Sequence, residues 1–293
     1  TQRIMTADFK QTVEYRPKDA SLGEFLGDLP SLDLPNLAAR YAPIFVQQIR
    51  PEASYDPKED RIGRIYLSGN VDDIQVNVDT AQPVVYWAHS QARVGQKRFD
   101  QLVYVAWYPS RPALSGRDVE AGKIDGVVVR ITLDRHRRPA VYEFVRACGC
   151  YHTLWVAEFV EAAARSEFGA SVGNRQYAVQ QATTGRSLFL PALVRDDGTQ
   201  PRRPIAFINS GYHFVMVIKP FGPDPQPGDP SEEQTYTLEP YESLTRLPLG
   251  SAVASMFGSD GLVHNAGRQE GLLLAPTGIL SAGQPRQLGT MKI

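Results

Sequence analysis

Short apolar runs bounded by turn residues recur along most of the 293-residue chain, and no other feature constrains its fold as strongly. Residues 73–79 alternate between apolar and polar side chains, which is typical of a strand with one exposed face. The denser apolar runs at residues 83–89, 101–108 and 126–133 are typical of strands covered on both faces. Because such short runs favour strands over helices, the pattern predicts a sheet-rich chain.

One long helical pattern interrupts the strands. Residues 153–168 carry apolar side chains at helical spacing, and Gly169 follows as a C-cap. Two short helices are predicted near the N-terminus, at residues 21–29 and 32–41. The predicted fold is therefore mainly β (α+β): a two-layer β-sandwich with one long helix packed on it and short N-terminal helices.

A single β-rich domain is expected over residues 1–293, because this length and a hydrophobic fraction of 42% allow one large core. Residues 1–20 show no clear period and are expected to form a surface arm. Residues 219–230 contain five prolines and two glycines, which predicts an excursion outside regular structure.

Charge and hydropathy limit the partners. A net charge of -1 with both signs interspersed argues against nucleic acid and against an anionic membrane surface. No apolar run is long enough for a membrane span, and no signal peptide is visible. The chain starts at Thr1, which fits either a processed, exported protein or a trimmed one; the expectation is a soluble, periplasmic or secreted protein.

The segment at residues 146–152 holds both cysteines and one of the five histidines. If it stays extended, alternation places Cys148, Cys150 and His152 on one face. The predicted helix that follows would favour thiolate over thiol at its N-terminus. These soft and borderline ligands predict one thiophilic metal ion per chain, zinc or copper, with a catalytic role left open.

The three side chains need a further ligand unless one position stays open for water or substrate. His213 is the first candidate, because it lies in a predicted strand beside a polar break in an apolar run. His89, at the end of another predicted strand, is the second.

Two alternatives use other chemistry. In a thiol enzyme, either an oxidoreductase or a cysteine hydrolase, Cys150 would react and no metal would be needed. In a glycan- or protein-binding module, the cysteines would be structural. The binding surface would then be formed by aromatic side chains of the predicted strands, namely Tyr86, Trp87, Tyr104, Trp107 and Tyr108.

Two charged groups complete the candidates. The basic turn at residues 135–138 can bind an anion, although such turns are more often simply solvated. The carboxylates of Asp118, Glu120 and Asp125 precede a predicted strand and form a reserve acidic group.

The segment from Asp125 to His152, with its Cys-Gly-Cys-Tyr-His ending, resembles a group of uncharacterised bacterial proteins. The resemblance continues at residues 210–213 and 276–279. Members of that group often carry a histidine where this chain has Arg146, so one possible ligand is missing here. The resemblance supports the motif as a unit and implies no activity.

A more distant resemblance starts from residues 37–43 and 55–57, followed by paired strands rich in Tyr and Trp. These features are similar to the β-sandwich families of Vps62-related proteins and necrosis-inducing proteins. Those families carry a histidine-containing acidic segment where this chain has residues 116–125, which lack histidine. The resemblance therefore implies the fold and not the toxin-type metal site.

Overall fold

The computed structural model describes residues 11–18, 32–50, 54–169, 192–194, 202–220, 232–278 and 281–289. Within these ranges the chain is mainly β, as predicted. The strands are β1 Thr12–Pro17, β2 Ile44–Gln48, β3 Arg64–Asn70, β4 Asp73–Asp79, β5 Val84–Val94, β6 Lys97–Arg111, β7 Gly122–Leu133, β8 Pro139–Arg146, β9 Thr153–Ala157, β10 Ala192–Val194, β11 Pro204–Ile208, β12 Val215–Pro220, β13 Glu232–Pro240, β14 Leu247–Leu249 and β15 Ala252–Ala254. The α-helices are α1 Leu34–Tyr41, α2 Glu158–Phe168 and α3 Gln269–Leu274, and 3-10 helices cover Pro57–Asp60, Tyr241–Thr245 and Ala275–Thr277.

Eleven strands form one sheet in the order β10-β9-β8-β7-β6-β5-β13-β1-β2-β11-β12. Strands β5 to β9 are joined by consecutive hairpins and pair antiparallel. Parallel pairing joins β5 to β13 and β13 to β1. The strands at the two ends, β10 and β12, contact each other, so the sheet curves back on itself.

Both faces of the central strands are buried. The inner face of the curved sheet holds one apolar cluster, to which Tyr104, Tyr142 and Ile208 contribute from three different strands. The outer face of β5–β8 is covered by the β3–β4 hairpin and by residues 241–266, and Trp107 lies in this second cluster. Two β layers are therefore present, and they are of very unequal size.

Burial overturns the aromatic surface proposed from sequence. Tyr86, Tyr104, Trp107 and Tyr108 are buried core residues, and only Trp87 is partly exposed. These side chains fill both cores because their strands are covered on both faces, and they do not present a binding surface.

The predicted helix at residues 153–168 is shorter than expected. Its first five residues form β9, which pairs with β8, and only Glu158–Phe168 is helical. Trp155 lies opposite Tyr142 and packs into the inner core, and this tertiary contact outweighs the local helical spacing.

The start of the chain also differs from the prediction. Residues 12–17 are no surface arm, because β1 lies between β13 and β2 with Val13 and Tyr15 buried. The predicted helix at 32–41 is confirmed as α1, which begins after the Asp33 side chain accepts a hydrogen bond from Asn36 N. The predicted helix at 21–29 lies outside the described residues, as does most of the proline-rich stretch 219–230. No helix in the described ranges is long and apolar enough to cross a membrane.

Candidate binding site

Two hairpin tips enclose a cavity of about 600 Å³. The first tip, residues 147–152, joins β8 to β9, and the second tip, residues 209–214, joins β11 to β12. Curvature of the sheet brings them together although their strands are distant in sheet order. The cavity is lined by Val127, Phe144, Val145, Arg146, Tyr151, His152, Thr153, Trp155, His213, Phe214, Val215 and Met216.

The first tip is a tight turn and not an extended segment. Gly149 and Tyr151 adopt left-handed backbone conformations, with φ of 86° and 55°, and Arg146 N donates to Cys150 O at 3.0 Å. The tip leads into β9 and not into a helix. Cys148, Cys150 and His152 therefore do not alternate onto one face of a strand. The cysteines also do not lie beside a helix N-terminus.

Cys148 and Cys150 are joined in a disulfide. A disulfide sulfur is not a thiolate, so this form of the protein does not offer the predicted pair of sulfur ligands. Within the described residues, no group of three or more His, Cys, Asp or Glu side chains is placed to hold a metal ion. The metal site and the reactive Cys150 stay predictions for the reduced protein.

The three candidate histidines fall in different places. His152 lines the cavity, and its Nε2 lies 3.0 Å from Glu143 Oε1. His213 stands in the wall of the same cavity, although its side chain has no exposed surface. His89 is elsewhere, on β5, where its Nε2 lies 3.0 Å from Asp100 Oδ1. The structure thus brings two of the three together.

His213 is held between two buried carboxylates. It was predicted to lie in a strand, but it lies in the turn of the second tip, at φ 53°. Its Nδ1 is 2.9 Å from Asp125 Oδ2 and its Nε2 is 3.2 Å from Asp60 Oδ1. The ring stacks on Tyr108, with centroids 3.8 Å apart. Each ring nitrogen faces a carboxylate oxygen, and this arrangement favours the imidazolium form, in which both nitrogens donate.

The pKa of His213 agrees with this assignment. Burial by itself would lower the pKa, but hydrogen bonds and attraction from Asp125 and Asp60 outweigh it and raise the pKa above its ordinary value. The two carboxylates therefore stabilise the charged ring in the core.

Asp125 is the centre of the charge cluster. Arg146 Nη2 donates to both of its oxygens, at 3.1 and 3.0 Å, and Arg268 Nη2 donates to Oδ1 at 3.2 Å. Burial alone would raise the pKa of Asp125, but Arg146, His213 and Arg268 hold it well below the ordinary value. Tyr108 is its cross-strand partner on β6, so the pairing of β6 with β7 places both beside His213.

Asp60 fixes the second tip. Its carboxylate accepts hydrogen bonds from Ser210 Oγ at 2.7 Å, from Gly211 N at 2.6 Å and from Tyr55 OH at 3.0 Å. A Cβ atom at Gly211 would lie 2.8 Å from the Leu114 side chain, and the φ of 75° is left-handed, so glycine is favoured there.

The reserve acidic group is paired with arginines throughout. Asp118 lies 3.1 Å from Arg111, and Glu120 accepts from Arg146 Nη1 at 3.1 Å. Glu120 also accepts from Tyr151 OH at 2.7 Å. Glu120 therefore holds the first tip in place through Tyr151.

The two tips contact each other through aromatic rings. Tyr151 and Phe214 have centroids 4.3 Å apart, and Arg146 lies beneath both rings. Nε of Arg146 is buried and has no hydrogen-bond partner in the described part of the chain. The Nε atoms of Arg111 and Arg268 likewise lack a partner there.

No family model, curated protein or solved structure matches this chain. The function of the site therefore has to be argued from its own chemistry.

Sequence analysis missed most of the charge cluster. Asp60 lies in an Asp-Pro-Lys-Glu-Asp stretch that looks like an exposed turn, and Arg268 lies in a glycine-rich region with no clear period. From the sequence, Arg146 stands out only as the residue that replaces a histidine of the resembled bacterial proteins. No local signal marks these residues, because each acquires its role through partners far away in sequence.

Proposed function

We propose that the chain binds a small, largely apolar molecule in the cavity between the two hairpin tips. The observation that carries this proposal is a cavity of about 600 Å³ with aromatic walls and Arg146 in its lining. Small-molecule sites commonly combine an apolar lining with a few converging polar groups.

The walls favour a flat apolar ligand. Phe144, Trp155 and Phe214 belong to the lining, and the rings of Phe144 and Trp155 meet edge to face with centroids 5.3 Å apart. Aromatic walls of this kind contact a ring through offset stacking or edge contacts. The volume lies within the range of about 300–1,000 Å³ that is typical of ligand pockets.

Arg146 specifies the polar end of the ligand. Its two terminal nitrogens already donate to Asp125 and Glu120, so its charge is compensated. Because Arg146 also lines the cavity, a hydrogen-bond acceptor on a ligand would complement its guanidinium group. The ligand therefore combines a ring with a hydrogen-bond acceptor.

Filling the cavity is expected to abolish binding. Met216 lines the cavity and is 38% exposed, so Met216→Trp adds bulk there without disturbing a core. Titration calorimetry with 2-naphthoate should show affinity at least about tenfold lower for this variant. Val253→Trp, at a 63% exposed site that does not line the cavity, is the matched control and should bind like the wild type.

A donor ligand of equal size tests the polar end. 2-Naphthylmethylamine carries a cation in place of the acceptor and should bind about tenfold more weakly than 2-naphthoate. Equal affinities would exclude a role of Arg146 in recognising the polar end of the ligand. Absence of binding by both compounds would contradict the cavity proposal itself.

We propose secondly that the reduced chain binds one zinc or copper(I) ion through Cys148, Cys150 and His152. The disulfide supports this proposal, because it brings the two sulfur atoms together two residues before His152. His152 would have to leave Glu143 to join them. In an oxidising compartment, such as the expected periplasmic or secreted location, the disulfide would persist and the metal site would not form.

Elemental analysis tests the metal proposal. After reduction, and without metal-affinity purification, we expect about one metal ion per chain and thiols that react only after chelation. Cys148→Ser and Cys150→Ser should each lose the metal. Two rapidly alkylated thiols without bound metal would contradict the site and favour a thiol enzyme using Cys150.

A further inference from the structure

A second cavity, of about 680 Å³, lies at the opposite end of β8. It is bounded by the end of the β5–β6 hairpin, at residues 97–100, and by the β7–β8 turn, at residues 134–138. The basic turn seen in the sequence is therefore not an isolated solvated loop. Antiparallel pairing of β5, β6, β7 and β8 places both ends side by side.

The cavity concentrates positive charge. Five lysine and arginine side chains face two aspartates there, an excess of three positive charges in a chain whose net charge is -1. An anion would be attracted by this excess of positive charge.

Both carboxylates of the cavity are already engaged. Asp134 pairs with Arg138, whose Nη2 lies 2.7 Å from Oδ2, and Asp100 pairs with His89. Lys97 and Arg98 are exposed, and no ion pair joins either to a described residue. The charges of Lys97 and Arg98 are therefore available to a ligand.

Hydrogen bonds within the chain hold the basic turn. Asp134 Oδ1 accepts from the backbone N of His136 at 2.8 Å and of Arg138 at 2.9 Å. Tyr41 OH on α1 donates to Arg137 O at 3.0 Å. A pre-ordered turn lowers the conformational cost of binding.

We propose that this second cavity binds an anion with several phosphate or sulfate oxygens. Arginine forks match the geometry of these groups, and lysine adds a mobile point charge. The site is separate from the cavity between the hairpin tips, and this inference does not rest on the function proposed there.

Titration calorimetry at low ionic strength tests the proposal with pyrophosphate and with a disulfated disaccharide as probes. The probe that binds more tightly shows whether the ligand is a phosphate or a sulfate compound. The double variant Lys97→Gln/Arg98→Gln is expected to weaken binding at least about tenfold, and added salt should weaken binding to the wild type.

The matched control is Arg117→Gln/Lys123→Gln, which removes the same charge from exposed positions outside the cavity. It should change the affinity less than about twofold. If both double variants weakened anion binding equally, the effect would reflect net charge alone, and the proposed site would be overturned. Failure of both anions to bind to the wild type would also overturn it. Binding of 2-naphthoate should stay unchanged in both variants.

Discussion

Replacement of Asp125 by alanine is expected to lower the free energy of unfolding by about 3–5 kcal/mol, the range for removing one partner of a buried ion pair. The carboxylate is fully buried and accepts hydrogen bonds from Arg146, Arg268 and His213. Without it, three buried cationic groups lose their shared anion. Urea unfolding followed by circular dichroism measures the change.

Asp72→Ala is the control, because Asp72 is exposed and the change should stay within about 0.5 kcal/mol. Asp125→Asn keeps part of the hydrogen bonding and should fall between the two. If Asp125→Ala lowered the free energy of unfolding by less than about 1 kcal/mol, the charge cluster would not be the element that stabilises the site. Combining Asp125→Asn with His213→Gln should cost less than the sum of the single changes, because the two residues are in contact.

The free energy of unfolding is expected to fall as the pH rises above the ordinary histidine pKa of 6.5. The pKa of His213 is raised in the folded protein, so its stabilising contribution is complete below the unfolded pKa. That contribution is lost as the pH passes through the higher folded pKa. While only the folded state holds the proton, the slope approaches about 1.4 kcal/mol per pH unit.

Charges on every side of the ring determine this behaviour. Asp125 on β7 and Asp60 in the 3-10 helix favour the imidazolium, and Tyr108 on β6 stacks on it. Arg146 and Arg268 oppose the imidazolium, because these two cations share Asp125 with it. Denaturant titrations between about pH 5 and 9 measure the profile.

The variant His213→Gln should flatten the profile, whereas His89→Gln, at a partly exposed pair, should leave most of it. Parallel profiles for the wild type and His213→Gln would show that His213 does not carry a proton lost in this range.

Several elements of the fold were predictable because their signals are local. The apolar runs of β5, β6 and β7 predict strands covered on both faces, and the structure confirms them. The α1 helix carries its own N-cap at Asp33. Where local and tertiary signals disagree, prediction was wrong: β9 has helical spacing but pairs with β8, and β1 has no clear period but lies inside the sheet.

The sequence by itself determined the mainly β class, the central strands and the presence of two unusual segments ending in Tyr-His. Only the tertiary structure decided that these segments are hairpin tips facing one cavity, and that His213 lies between Asp125 and Asp60, 88 and 153 positions away along the chain. The physical reason is the range of the interactions. Strand periodicity depends on neighbouring residues, whereas a buried ion cluster forms only where sheet pairing and curvature bring distant strands together.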